Sequence, residues 1–129
     1  MPASRDSAFQ ALRAHLRTIE SVQIRDLFAA DRRRFTDFSL RLDDLLLDYS
    51  KNRVTAETMS LLVDLAKASD VEGWRAKMFA GEAINATEGR AVLHTALRNP
   101  GSKRAYAAGG KDVTADVEAV LVAMGVFAE

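Results

Sequence analysis

Apolar residues recur every three or four positions along most of this chain and alternate every second position in one stretch only, residues 38–52. The first spacing places side chains on one face of a helix, the second on one face of a strand. The pattern therefore predicts a mostly α fold: a helical segment with a short β-hairpin. Phe9, Leu12, Leu16 and Ile19 mark a helix over 7–20, with Ser7 offering an N-cap. Ile24, Leu27 and Phe28 mark a shorter one over 24–34. In the alternating stretch, Phe38, Leu40 and Leu42 are separated by Ser39 and Arg41, as in a half-buried strand. Asp43 and Asp44 supply a turn, and residues 45–49 return as a second strand.

Thr55 caps a strong helix over 55–69, whose apolar face of Met59, Leu62, Val63 and Ala66 is widened by Leu61 and Leu65. A further helix over 70–80 directs Trp74, Met78 and Phe79 inward, and Gly81 closes it in a left-handed conformation. Thr87 is expected to cap a helix that runs through Leu97 and is stopped by Pro100. Residues 99–111 read as a loop, and Val113, Val117, Val120, Leu121 and Met124 as a final helix.

A length of 129 residues suits one domain with a real core. Eighteen basic residues balance eighteen acidic ones, and the balance holds within each half, so nucleic-acid binding through bulk charge is disfavoured. The absence of cysteine excludes a disulfide scaffold, a thiol nucleophile and a thiolate zinc site. The first ten residues contain Arg5 and Asp6 and no apolar h-region, unlike a signal peptide. The apolar stretch from Val117 onward, broken by Glu118 and Gly125, is too short to span a bilayer. The expected location is the cytoplasm, where the Asn85-Ala86-Thr87 sequon has no role.

Individual residues carry little catalytic signal. His15 and His94 have no metal-binding spacing, and each reads as a hydrogen-bonded, partly buried histidine. Arg32, Arg33 and Arg34, flanked by Asp31 and Asp37, read as a solvated helix end rather than a phosphate clamp. Gly109-Gly110-Lys111 fails as a phosphate loop, because Ala105 and Asp112 occupy positions that need Gly and Ser or Thr. Asp43 and Asp44, as strand neighbours, cannot face one substrate as an acid–base pair. The tryptophan, the methionines and the phenylalanines read as core.

Two longer strings say more. Residues 47–55 read Leu-Asp-Tyr-Ser-Lys-Asn-Arg-Val-Thr. Residues 78–99 read Met-Phe-Ala-Gly-Glu-Ala-Ile-Asn-Ala-Thr-Glu-Gly-Arg-Ala-Val-Leu-His-Thr-Ala-Leu-Arg-Asn. In order and separation, with Gly110-Lys111-Asp112-Val113 following, they closely resemble the N-terminal region of the glucose-6-phosphate isomerase family, from about Phe9 onward. Ala83 departs from the pattern, which has Lys there, and residues 100–108 differ from the usual loop.

The resemblance implies an enzyme that interconverts glucose 6-phosphate and fructose 6-phosphate in glycolysis and gluconeogenesis. It implies general acid–base proton transfer through an enediol, no cofactor or metal, and a cytoplasmic homodimer. It also implies that the sugar phosphate is held by two sugar-isomerase α/β domains, on which this helical segment packs and which lie outside these residues. No catalytic, substrate-binding, cofactor-binding or metal-binding position of the family maps onto this sequence; His94, Glu82 and Glu88 in particular are not its catalytic histidine and glutamate. The charged positions expected to brace those domains are Asp48, Lys51, Glu82, Arg90 and Arg98. These 129 residues are expected to be inactive alone. The alternative is a stand-alone, non-catalytic helical interaction module derived from the family.

Overall fold

The computed structural model describes residues 4–99, 101 and 105–128, and these divide into two compact units, Met1–Ser69 and Asp70–Glu129. In the first unit, helix α1 (Arg5–Ile19) packs on α4 (Ala56–Ala68), and between them in sequence lie α2 (Ile24–Ala30), α3 (Arg34–Asp37) and the strands β1 (Ser39–Leu42) and β2 (Leu45–Asp48). The mostly α reading with a single ribbon in 38–52 holds here.

Several boundaries differ from expectation, each for a local reason. Helix α1 begins earlier than Ser7 because Ser4 is the cap, its hydroxyl accepting from the Ser7 N–H at 3.2 Å. The expected helix over 24–34 breaks at Asp31. That residue turns extended, and its carboxylate accepts from the Arg33 N–H at 2.9 Å, a local bond that competes with the helical ladder. Thr55 caps α4 as expected, in a reciprocal capping box with Thr58.

β1 and β2 form an antiparallel ribbon pairing Leu40 with Leu47 and Leu42 with Leu45, across a turn whose first residue, Asp43, has φ 48°. Directly opposed residues share a face, so these four leucines lie together. The expectation of a half-buried face fails, since they are between 57% and 71% exposed.

In the second unit, α5 (Val71–Ala80) ends at left-handed Gly81 as expected. A Cβ on Gly81 would lie 1.6 Å from the Ala107 carbonyl oxygen, so the close approach of the two segments needs glycine as much as the dihedral does. The helix expected from Thr87 is absent. Asn85 and Arg90 instead pair across a tight turn, with Gly89 at φ 63°, the Asn85 carboxamide oxygen accepting from the Glu88 N–H, and Asn85 N–H donating to the Arg90 carbonyl at 3.1 Å. Only the last turn of that helix forms, α6 (His94–Leu97). The helix stop assigned to Pro100 lies outside the described residues.

The segment read as a loop holds a second ribbon, β3 (Ala107–Ala108) with β4 (Lys111–Asp112). Gly109 and Gly110 both have positive φ in its turn, the conformation that the right-handed twist of a two-residue hairpin requires. Helix α7 (Thr114–Ala128) follows and contacts α6.

The core is small. Among described apolar residues only Ala8, Phe38, Ala96 and Tyr106 are buried. Trp74, Phe9, Phe28, Phe35 and Phe79 are exposed by a third to a half, which overturns their reading as core and the inward placement of Trp74 and Phe79. Even two separate globular bodies of about 7 kDa would together expose only about 8,100 Å², whereas this chain exposes 10286 Å².

Candidate functional site

The Asp-Tyr-Ser-Lys-Asn run leaves β2 and forms a loop folded around one arginine. Arg34 opens α3 with its guanidinium turned inward, 3% exposed for the whole residue. Its Nε donates to the Ser50 carbonyl at 2.8 Å, and one Nη donates to the carbonyls of Asn52 at 2.8 Å and Val54 at 3.0 Å. The same group lies over the rings of Phe38, at 4.6 Å, and Phe28, at 5.6 Å, where the negative ring faces offset its desolvation. Phe38 in turn meets Tyr49 edge-on at 5.9 Å. Arg34 is thus no part of a solvated helix end. Arg32 and Arg33 are exposed as expected, with Arg33 paired to Asp37 at 3.1 Å. The burial of Arg34 could not be read from charge pattern, because its acceptors are main-chain oxygens more than fifteen residues away.

Asp48 completes the loop from the other side. Its Oδ1 accepts from the Ser50 hydroxyl at 2.6 Å and the Ser50 N–H at 2.9 Å, and Lys51 Nζ stands 3.9 Å from Oδ2. The Ser50 hydroxyl first, then the Ser50 N–H and more weakly the Lys51 charge hold this carboxyl below its ordinary 3.8, against a smaller desolvation that raises it. Ser50 is 1% exposed, while Lys51, Asn52 and Arg53 face outward. Arg53 also donates to the Glu20 carbonyl, which ties the loop to the end of α1. Beside Arg34 an open depression of about 480 Å³ has an apolar floor that includes Leu27, Phe38, Tyr49 and Met59.

His15 gives the other buried polar cluster. Its Nε2 lies 2.7 Å from Thr58 Oγ1 and its Nδ1 3.4 Å from Glu57 Oε2. A hydroxyl, an imidazole and a carboxylate in this order resemble a nucleophile, its base and an orienting acid. The surroundings assign a different role. Thr58 Oγ1 already accepts from the Thr55 N–H at 3.0 Å as half of the capping box, and both His15 and Thr58 are buried between α1 and α4. The cluster is a clasp between two helices, as the reading of His15 as a satisfied histidine requires.

His94 is exposed rather than partly buried. It borders an open cleft of about 470 Å³ with Met78, Phe79, Thr95, Arg98 and Tyr106. The Asn99 amide donates to the Tyr106 hydroxyl at 3.2 Å, and the Tyr106 N–H donates to Thr114 Oγ1 at 3.0 Å, which ties the Tyr106 backbone to the start of α7. Asp112 accepts from the Thr114 N–H through its carboxylate, the main cause that lowers its pKa from 3.8.

The charged positions singled out in the sequence fall into two groups. Asp48 is built into its loop, whereas Lys51, Glu82, Arg90 and Arg98 project outward, Arg90 with only a 3.9 Å approach to Glu88. Asp43 and Asp44 form the ribbon turn as expected. Among the described residues no three His, Asp or Glu side chains gather as a metal site needs, and no helix is long and apolar enough to cross a membrane. The sequence model of phosphoglucose isomerase matches residues 48–129. That match begins at the Asp48 loop, takes in the Asn85–Arg90 turn and the Gly109-Gly110 ribbon, and spans well over half of the sequence, so the chain belongs to the phosphoglucose isomerase family.

Proposed function

We propose that these residues are the structural N-terminal portion of an enzyme interconverting glucose 6-phosphate and fructose 6-phosphate, and that they contribute no acid, base or phosphate ligand of their own. The family match carries the reaction class. The non-catalytic role is supported by the way the buried polar groups are used. Arg34 is turned inward onto three carbonyls and His15 is held by Thr58 and Glu57, so both buried groups are engaged within the fold. An enediol mechanism needs a base within hydrogen-bond reach of the C1 and C2 protons and a group that stabilises the developing oxyanion. The Asp48 and Asn85 side chains instead spend polar atoms on local turns, and Gly81 permits a close approach to Ala107. Their role is to shape a surface whose outward charges, Lys51, Glu82, Arg90 and Arg98, and uncovered leucines and valines meet sugar-isomerase domains. The parent enzyme is a cytoplasmic homodimer working without cofactor or metal.

A coupled assay on the purified 129-residue chain with fructose 6-phosphate tests this reading. The expected result is no turnover above buffer. Turnover that persists after a host-isomerase deletion and is lost in His15→Ala or Glu57→Gln would overturn the non-catalytic role.

A further inference from the structure

We draw no further inference here: the strongest candidate, the face of Leu40, Leu42, Leu45 and Leu47 on the β1–β2 ribbon, is an unpartnered apolar face, and nothing in the structure shows what covers it.

Discussion

Arg34 shows how much one side chain can decide. Removing it leaves the carbonyls of Ser50, Asn52 and Val54 without their donor in a segment that includes fully buried Ser50. A lost charged donor to buried acceptors costs on the order of 3 kcal/mol, so Arg34→Ala should lower stability by about that amount. Arg34→Lys should recover less than half, because an ammonium cannot match the planar fork or stack on Phe38. Arg32→Ala and Arg33→Ala should each stay within about 0.5 kcal/mol of the parent. Urea midpoints at constant slope measure all four; equal losses at the three arginines would contradict the assignment. Glycine gives a parallel contrast. Gly81→Ala meets both a positive φ and the Ala107 carbonyl, whereas Gly89→Ala meets a positive φ and open space. The first should cost about 3 kcal/mol or more and the second about 1 kcal/mol. Asp48 adds a pH signature. Its folded pKa is depressed by the Ser50 hydroxyl, then the Ser50 N–H, so its contribution is present above the unfolded value and fades as pH falls through the folded one, below 3.8. The gap in melting temperature between the parent and Asp48→Asn should therefore be widest above about pH 4 and narrow steadily below it. A gap unchanged down to about pH 2.5 would remove Asp48 from that role.

Elements were legible where one period ran uninterrupted. The helices α1, α4, α5 and α7 and the β1–β2 ribbon lie close to where apolar spacing and the caps Thr55 and Gly81 put them. Failures came where a short polar side chain offered the backbone a local alternative. Asp31 ends α2 early by taking up the Arg33 N–H, and Asn85 turns the Thr87 segment back on itself by taking up the Glu88 N–H. The Gly109-Gly110 ribbon was missed because its strands are two residues each, too brief for any alternation to register. Burial was the least legible property. A leucine at strand spacing reads as half-buried only if something lies against it, and Leu42 is 71% exposed. The cap and clasp of α4 can be separated by substitution. Thr55→Ala removes one capping acceptor and should cost about 1 kcal/mol. Thr58→Ala removes the other half of the box and the buried partner of His15, and should cost about 2 kcal/mol. Thermal unfolding of the two variants decides this, and a smaller loss at Thr58 would mean that the His15 contact adds nothing.

At the scale of the whole molecule, the excess of exposed apolar surface is the dominant property. Along α7, Val120, Val122, Met124, Val126 and Phe127 are each more than half exposed, an apolar surface of the kind that helices ordinarily turn toward a core. Isolated in solution, the chain should therefore self-associate or melt early, since exposed patches beyond a few hundred Å² drive association. Sedimentation velocity and calorimetry are the measurements; a monodisperse monomer with one sharp, high transition would contradict the expectation. Family membership was legible because fixed residues sit at close range, in the 47–55 and 78–99 strings. The hold of Arg34 was not, since that residue stands before the matched span of 48–129 and reaches into its first turn. The chemistry of that hold has an evolutionary consequence. Main-chain oxygens look alike whatever residue bears them, so the grip of Arg34 sets no requirement on the side chains at 50, 52 and 54, and Ser50 is held to its identity by Asp48 instead. Substitution at 34 then needs no compensating change at a partner, and paired-variation searches among relatives should find position 34 constant or altered alone. Such a contact is visible only in three dimensions, however many sequences are compared.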